Sequence, residues 1–269
     1  MRIAFRLRAV LLGPLGELYV FNDKRATWRA AAGQGFMIGV LGGMGPLATA
    51  DFFNKVIAAT SVTSEEDHVP LLIQSDPRIP PRPPAILADG TSPLPALLAG
   101  RDRLIAAGAT ALVMPCNTAH YWHADLVRDC PVPFLSIVDA VFDELSVEVP
   151  KGVKIGLIST QATMAAQIFD KRLLAQGYSV LLPSDADMQT RVTPAIHFVK
   201  ANHPEQAAPL LEEAIRGLIA RGASRIILAC TETPVALEAV NSPLMAQCID
   251  PTAALARLCV AWWAGHKKT

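Results

Sequence analysis

The sequence predicts an α/β fold of two pseudo-symmetric lobes, each a mostly parallel sheet flanked by helices, with the active site in the cleft between them. Short apolar runs alternate with alanine-rich helical stretches, and one stretch recurs in the second half of the chain. Near-continuous Val, Ile and Leu runs separated by helices are typical of parallel strands covered on both faces. With 269 residues, 51% of them hydrophobic and 18% charged, the chain can bury a large core.

The strand candidates are six apolar runs: Met37–Leu41, Val69–Gln74, Ala111–Met114, Phe134–Ile137, Val153–Ile158 and Arg225–Ala229. The helix candidates between them are Ala48–Ala59, Leu97–Ala107, Thr163–Gln176 and Pro209–Ala220. We assign residues 37–138 together with 249–269 to the first lobe and residues 139–248 to the second. Residues 1–36 are rich in basic side chains, and we expect them to form a poorly ordered N-terminal extension.

Composition excludes several function classes. The net charge of zero at pH 7 argues against nucleic acid and anionic membranes as partners. Five cysteines, an odd number, do not suggest a disulfide framework, so we expect free thiols in a reducing cytoplasm. The sequence contains no uninterrupted run of about 18 apolar residues, so no membrane span is expected. The sequence also lacks the paired cysteines and the helical histidine pair typical of zinc sites, so no metal is expected.

An internal repeat relates two of the five cysteines. The stretch Leu104–Cys116 aligns without a gap against Leu218–Cys230, and both stretches end on a cysteine. The openings of the two halves are also similar, since Ile38-Gly-Val-Leu resembles Ile155-Gly-Leu-Ile. Duplication of one lobe would place both cysteines on the same cleft, so we interpret Cys116 and Cys230 as a pair.

Each paired cysteine ends an apolar strand and opens a polar segment, Cys116-Asn117-Thr118 in one half and Cys230-Thr231-Glu232 in the other. Ligands bind at the carboxyl ends of parallel strands. The positive N-terminal end of the following helix lowers the pKa of a thiol, so we expect thiolate near neutral pH at both positions. The other three cysteines are interpreted as small buried hydrophobes: Cys130, Cys248 and Cys259.

Two acid–base groups on opposite faces of one carbon are what racemisation requires. One thiolate removes the α-proton while a thiol on the other face returns a proton, and fixed donors must stabilise the carbanion. A cysteine hydrolase in which His120 activates Cys116 is an alternative. That alternative leaves Cys230 without a role.

Two loops are candidates for anion binding. Gly42-Gly-Met-Gly-Pro46 follows the first strand and is predicted to offer backbone N–H groups to a substrate carboxylate, with a plain tight turn as the alternative. It lacks the lysine of a phosphate loop. Gly43-x-Gly45-x-x-Ala48 fits the dinucleotide fingerprint only weakly, because the acid at Asp76 lies about thirty residues on rather than the usual ~20, so no nucleotide cofactor is expected. The proline-rich segment Ser75–Pro84 is expected to be extended. Its two cations, Arg78 and Arg82, could each bind a carboxylate or simply be solvated.

Three motifs together resemble the aspartate/glutamate racemase family, in particular its aspartate racemase branch: Ile38-Gly-Val-Leu-Gly-Gly-Met-Gly-Pro46, Pro115-Cys-Asn-Thr-Ala-His120 and Ala229-Cys-Thr-Glu232. The resemblance extends over nearly all of the chain after the extension. It implies two pseudo-symmetric α/β lobes, no pyridoxal phosphate and no metal. It also implies that Cys116 and Cys230 are the catalytic acid–base pair.

The resemblance further implies substrate-binding residues. Met44 belongs to the substrate loop, and Arg82 looks like the family arginine, although Pro81 and Pro83 depart from the family pattern and leave Arg78 as the alternative. The remaining implied binding residues are Asn117, Thr118, Thr160, Lys200, Thr231 and Glu232.

The substrate inferred from these residues is an acidic amino acid. Glu232 replaces the histidine typical of glutamate racemases, which favours aspartate. We therefore expect cofactor-independent interconversion of L- and D-aspartate. We expect a cytoplasmic protein, with a homodimer as a possible assembly. A glutamate or broad-specificity racemase is the alternative, and a non-catalytic amino-acid-binding protein is the alternative from another class.

Overall fold

A computed structural model describes residues 35–266 and, N-terminal to these, the short strands β1 (Val10–Leu12) and β2 (Leu18–Val20). These two strands form an antiparallel pair in an N-terminal unit, and the larger unit begins at Phe36. The predicted disorder of residues 1–36 falls mostly outside the described residues.

The larger unit is built from alternating strands and helices. Its described strands are β3 Ile38–Gly42, β4 Leu71–Ser75, β5 Ala111–Val113, β6 Phe134–Leu135, β7 Lys154–Leu157, β8 Ser179–Leu181, β9 Ala223–Ile227 and β10 Cys248–Ile249. Its described helices are α1 Pro46–Ala59, α2 Arg82–Leu87, α3 Leu94–Ala106, α4 His123–Val127, α5 Ile137–Glu148, α6 Gln161–Ala165, α7 Asp170–Ala175, α8 Asp185–Asp187, α9 Thr193–Lys200, α10 Pro204–Ala220, α11 Glu232–Ala239 and α12 Pro251–His266. Three 3₁₀ turns, at Glu65–Asp67, Thr118–Trp122 and Pro243–Gln247, and a π-helical turn at Met188–Val192 complete it.

Two four-stranded sheets carry the same topology. One has the order β4-β3-β5-β6 and the other the order β8-β7-β9-β10, and every neighbouring pair is parallel. In both sheets the strands therefore lie in the order second, first, third, fourth. The predicted α/β class with two similar lobes is confirmed.

The repeat is visible in the packing around one glycine of each first strand. A Cβ added to Gly39 would lie within 3.2 Å of three side chains, and one added to Gly156 would lie within 3.4 Å of three others. The first three are Leu104, Ala109 and Leu112, and the second three are Leu218, Ala223 and Ile226. These are the residues that the sequence repeat aligns with one another, so the helix–strand contact is the same in both lobes.

Helices cover both faces of each sheet. In the first sheet, α1 and α12 pack on one face and α3 and α4 on the other. In the second, α5 and α7 pack on one face and α9, α10 and α11 on the other. The apolar residues of the inner strands β3, β5 and β7 are buried on both faces, whereas Ile73 of the edge strand β4 is exposed. Each fully buried Leu or Phe contributes about 1.5–3 kcal/mol of transfer free energy.

The chain crosses between the sheets twice in this region, once from β6 into α5 and once from β10 into α12. On this packing we propose residues 37–138 and the C-terminal helix α12 as the first lobe and residues 139–249 as the second. Because Ile249 pairs with Ile227 in the second sheet, we place the second crossing at Asp250, one residue later than 249.

Three element predictions are wrong in detail. Phe134–Ile137 ends as a strand at Leu135, because the Ser136 hydroxyl accepts hydrogen bonds from two N–H groups of the first turn of α5. Thr163–Gln176 is two helices rather than one, since Gln167 adopts a left-handed φ of 52° between α6 and α7. Strands β8 and β10 were absent from the predicted set because they are only three and two residues long.

The proline-rich segment was expected to be extended throughout, and this is wrong at its C-terminal end. Helix α2 begins at Arg82 and carries Pro83 and Pro84 in its first turn. A proline in the first turn removes no hydrogen bond from the helix, because first-turn N–H groups have no partner within the helix. No described helix combines the length and apolar character that crossing a bilayer requires.

Candidate active site

Two cysteines occupy equivalent turns after the third strand of each sheet. Cys116 follows β5 and Cys230 follows β9. In both turns the cysteine N–H donates a hydrogen bond of 2.8 Å to the carbonyl two residues earlier, that of Met114 or of Leu228. Both side chains are buried, being 5% and 4% exposed. The duplicated backbone thus presents the two thiols in the same way.

Both cysteines line one small cavity of about 10 Å³ between the lobes. Its lining brings together every residue that the sequence singles out for catalysis or substrate binding, and it adds Pro83. The lining residues are Met44, Arg82, Pro83, Cys116, Asn117, Thr118, Thr160, Lys200, Cys230, Thr231 and Glu232. Most of these side chains are buried, so the cavity is almost closed to solvent.

Several polar atoms of the cavity lining have no hydrogen-bond partner within the described part of the chain. They are both amide atoms of Asn117, Nε of Arg82 and Oε1 of Glu232. An unsatisfied buried donor or acceptor costs about 1–3 kcal/mol. Native proteins keep such groups few, and several in one cavity make it suited to water or to a polar ligand.

Arg82, rather than Arg78, faces the cavity. Arg82 is 8% exposed, and its guanidinium donates to the carbonyls of Ile79, Pro80 and Met44 at 3.2–3.3 Å. The structure shows no carboxylate paired with this buried cation within the described residues. The Arg78 side chain is 87% exposed and pairs with Asp76. A buried cation without a counter-ion is suited to an anionic ligand.

Three threonine hydroxyls meet across the lobe boundary. Thr118 Oγ1 lies 3.1 Å from Thr160 Oγ1 and 2.9 Å from Thr163 Oγ1, and the latter two are 3.0 Å apart. Thr160 also caps α6 by accepting the N–H of Thr163. Sequence reasoning missed Thr163. The spacing Thr160-x-x-Thr163 at a helix start is the capping signal that could have found it.

Glu232 sits against the second cysteine. The Cys230 thiol donates to Glu232 Oε2 at 3.1 Å, and the Thr231 hydroxyl donates to the same oxygen at 3.3 Å. Burial, and then the negative charge of Glu232, raise the pKa of Cys230 well above its ordinary value, with Lys200 acting in the opposite direction. The expected lowering of the pKa is therefore wrong for Cys230. Desolvation outweighs the dipole of the following helix.

The glycine loop is a tight turn whose shape demands glycine. Gly43 has φ +91°, and a Cβ there would lie 2.2 Å from the Asp76 nitrogen. Its N–H, which was predicted to be free for an anion, donates instead to Thr49 Oγ1 at 2.8 Å. Met44 is the loop residue that lines the closed cavity. The loop thus positions Met44 and, through its carbonyl, Arg82.

Lys200 lies at the last position of α9 and is exposed. It lines the closed cavity and also a wider cavity of about 250 Å³ beside the glycine loop and the proline-rich segment. Arg82 and Glu232 are likewise shared by the two cavities. The wider cavity therefore adjoins the closed one where its charged residues lie.

The geometry argues against His120 as a base for Cys116. Its Nε2 accepts the N–H of Ile137 at 3.2 Å, so Nδ1 carries the proton and donates to the Cys116 carbonyl at 2.9 Å. Burial lowers the pKa of His120 to about 3. Both ring nitrogens are occupied by backbone groups, and neither contacts the thiol. The described residues include no cluster of His, Cys, Asp and Glu that could hold a metal ion.

Comparison with known proteins supplies a family. A family model described as Asp/Glu/hydantoin racemase matches residues 41–259. The chain is 28% identical over 237 residues to the broad specificity amino-acid racemase RacX of Bacillus subtilis, covering 86% of this chain and all of that protein. It is also 27% identical over 168 residues to a glutamate racemase of Acidothermus cellulolyticus, covering 58% and 60% of the two chains.

Solved structures show the same architecture. The chain superposes on the aspartate racemase of Picrophilus torridus with a TM-score of 0.75 and 31% sequence identity, covering 86% of this chain and 95% of that one. A glutamate racemase of Francisella tularensis, solved with D-glutamate, shares the fold at a TM-score of 0.62 and 15% identity, covering 87% and 82%.

Proposed function

The chain belongs to the Asp/Glu/hydantoin racemase family, and from this premise we propose that it interconverts L- and D-aspartate without a cofactor, using Cys116 and Cys230 as the two acid–base groups. One observation carries the proposal. The two cysteines occupy equivalent positions of a duplicated lobe and line the same buried cavity.

The reaction needs a base and an acid on opposite faces of the α-carbon. A thiolate on one face takes the α-proton, and the electron pair left on carbon delocalises into the adjacent carboxylate. The thiol on the other face then gives its proton to the carbon, which inverts the configuration. The two sulfurs have exchanged protonation states, so the reverse reaction uses the same groups in opposite roles.

The setting of Cys230 supports an assignment of roles to the two thiols. The raised pKa of Cys230 and its hydrogen bond to Glu232 make it the protonated partner. We therefore assign Cys230 as the proton donor in the first turnover and Cys116 as the base. A substrate ammonium beside Glu232 would partly neutralise that carboxylate and ease the later loss of the Cys230 proton.

The polar lining supports an acidic amino acid as substrate. The Asn117 amide and the hydroxyls of Thr118 and Thr160 offer hydrogen bonds to one carboxylate. The buried Arg82 guanidinium, which has no carboxylate partner in the described residues, offers a charge for a second. The Glu232 oxygen without a partner offers an acceptor to the ammonium group. Similarity to the Picrophilus enzyme supports aspartate, and full-length similarity to RacX supports broad specificity as the second candidate.

The closed cavity implies that the lobes separate to admit the substrate. Most of the lining side chains are buried, and Thr118 contacts Thr160 and Thr163 across the boundary. A bound carboxylate would replace these hydroxyl contacts. Excluding water then strengthens the electrostatic stabilisation of the carbanion.

A chiral assay of the purified protein, without added cofactor, tests the proposal over aspartate, glutamate and neutral amino acids. We expect L- and D-aspartate to reach an equal mixture. Cys116→Ser and Cys230→Ser should each lose racemisation by at least about 100-fold, since each removes a group that transfers a proton in every turnover. Full activity in either variant would contradict the two-base mechanism. Binding of aspartate by calorimetry, with no turnover and no α-proton exchange in D₂O, would instead indicate a binding protein.

The setting of the enzyme is also a proposal. All five cysteines are free, which supports a cytoplasmic location. We propose a homodimer, and light scattering during gel filtration distinguishes it from a monomer.

A further inference from the structure

A buried ion cluster lies apart from the cavity, where the two lobes meet. Lys55 Nζ is 2.7 Å from Asp51 Oδ2, 2.7 Å from Asp250 Oδ2 and 3.1 Å from Glu238 Oε1. The side chains of Lys55 and Asp51 are 13% exposed and that of Asp250 is 7% exposed. Three carboxylates thus surround one ammonium; Asp51 and Asp250 are poorly solvated, and Glu238 is 40% exposed. We call this group the Lys55 cluster.

The Lys55 cluster joins elements of different lobes. Lys55 and Asp51 lie on α1, whose apolar face packs on the first sheet. Glu238 lies on α11, which packs on the second sheet. Asp250 lies at the crossing from β10 to α12, where its Oδ1 also accepts the N–H of Thr252. One side chain therefore fixes α1 to α11 and to a connection between the lobes.

The same two helices begin at the cavity. α1 starts directly after the Met44 loop, and α11 starts at Glu232, just after Cys230. A Cβ built on Gly45 would lie 3.6 Å from Glu232 Oε1, so the two helix starts face each other across the site. Lys55 lies ten residues beyond Gly45, about 15 Å along the helix axis at 1.5 Å per residue. Lys55 therefore acts on the cavity through the helices and not by contact.

We propose that Lys55 is a positioning residue that sets the distance between the two cysteines by holding α1 against α11 and the β10–α12 crossing. This inference rests on the proposed racemase function of the cavity. Without the ammonium, Asp51, Asp250 and Glu238 lose the cation that joins them, so α1 is no longer held against α11 and the crossing. Displacement of a reacting group by about 1 Å costs on the order of 100-fold in rate.

The test compares Lys55→Met with Lys55→Arg and with Lys171→Met, a change at an exposed lysine that has no ion pair among the described residues. For each variant, the rate of α-proton exchange in D₂O and the rate of inversion are measured from one enantiomer. In Lys55→Met we expect kcat for inversion to fall about 10- to 100-fold, with KM within about threefold of the wild-type value. The ratio of exchange to inversion should rise, because one thiol still removes the proton while the other no longer reaches the carbon.

The charge-retaining variant Lys55→Arg should recover most of the inversion rate, and Lys171→Met should match the wild type. A wild-type ratio of exchange to inversion in folded Lys55→Met would overturn the proposal, whatever the value of kcat. If Lys55→Met does not fold, Glu238→Gln decides, because Glu238 is the most exposed member of the Lys55 cluster. It should raise the ratio less, and an unchanged ratio would overturn the proposal. A wild-type protein with neither exchange nor inversion would instead contradict the proposed function itself.

Discussion

The thiol of Cys230 donates a hydrogen bond to the carboxylate of Glu232, with 3.1 Å between Sγ and Oε2. Both groups are buried at the start of α11, and the second carboxylate oxygen has no partner in the described structure. A buried thiol beside a buried carboxylate keeps its proton, because the thiolate would be both poorly solvated and repelled. This pair therefore favours the protonated form of Cys230.

The first prediction concerns the charge of Glu232. In Glu232→Gln the pKa of Cys230 should fall towards its ordinary value, because one of the two main causes of its elevation is removed while burial remains. Alkylation of Cys230 by iodoacetamide, identified by mass spectrometry, should then begin at lower pH than in the wild type. Racemisation should nevertheless fall about 10- to 100-fold, because a charge-assisted hydrogen bond to the ammonium group is worth about 1.5–3 kcal/mol.

Two controls accompany that measurement. Glu213→Gln removes an exposed carboxylate that pairs with Arg191, and it should change neither alkylation nor racemisation. Cys230→Ser identifies the labelled peptide. An alkylation profile of Cys230 that does not move in Glu232→Gln would show that burial alone sets its pKa.

The second prediction separates the two arginines. Arg82→Lys should reduce kcat/KM for aspartate by roughly 10- to 100-fold, because lysine lacks the planar fork that pairs with a carboxylate. Most of the loss with aspartate should appear as a higher KM. The loss of kcat/KM should be smaller with neutral amino acids, which have no side-chain carboxylate. Arg78→Lys is the matched control and should behave as the wild type, since its side chain is exposed and pairs with Asp76. A loss of activity in Arg78→Lys but not in Arg82→Lys would instead assign carboxylate binding to Arg78. Thermal unfolding of Arg82→Lys shows whether the variant remains folded.

The architecture could be predicted from sequence because apolar runs and a gapless repeat encode it. The residues Leu104 and Leu218, aligned by the repeat, pack against the equivalent glycines Gly39 and Gly156. The break at Gln167 could not be predicted, because neither glycine nor proline marks it. Helix α6 ends there with hydrogen bonds from the Gln167 N–H to the Met164 carbonyl and from the Ile168 N–H to the Thr163 carbonyl. The start of helix α2 at Arg82 could not be predicted either, because Pro83 and Pro84 fit the first turn of a helix as well as they fit an extended chain.

The cavity residues could be named from motifs, but their electrostatics could not. Burial of Cys230 beside Glu232 reverses the direction of its pKa shift, and burial is a tertiary property. The occupied N–H of Gly43 depends on Thr49, six residues later in α1. Pairing of Lys55 with Asp250 and Glu238 joins residues nearly two hundred positions apart, and no local pattern signals it.

The third prediction concerns Asp51 in the Lys55 cluster. Burial, partly offset by Lys55 and reinforced by Asp250 and Glu238, raises the pKa of Asp51 from 3.8 to about 7. The folded state therefore holds a proton that the unfolded state releases between about pH 4 and 7. Protonated Asp51 therefore contributes fully to the free energy of unfolding below about pH 4. That contribution is lost as the pH rises through about 7, by up to about 1.4 kcal/mol per pH unit.

Asp51→Asn removes this titration while keeping the shape of the protonated side chain. We expect the free energy of unfolding of the variant, relative to the wild type, to be higher at pH 8 than at pH 5. Urea unfolding at the two pH values measures the difference. An equal difference at both would contradict the raised pKa.

The last prediction concerns His120, whose ring joins the Cys116 carbonyl to the start of α5. Burial lowers the pKa of His120 to about 3 from an ordinary value of 6.5, with His123 contributing in the same direction. The unfolded state therefore binds a proton that the folded state rejects. Stability should be full above about pH 6.5 and decline as the pH falls towards 3, by up to about 1.4 kcal/mol per unit.

His120→Gln removes that acid-sensitive titration and one of the two backbone hydrogen bonds. Its unfolding free energy should be lower than that of the wild type at pH 7, by about 1–3 kcal/mol for the backbone group left unpaired, and should depend less steeply on pH between 6 and 4. Because neither ring nitrogen contacts the Cys116 thiol, racemisation per folded molecule should stay within about tenfold of the wild-type rate, less than the 10²–10⁴-fold that a general base contributes. A loss as large as that of Cys116→Ser, at a temperature where the variant is fully folded, would make His120 a base for Cys116 after all.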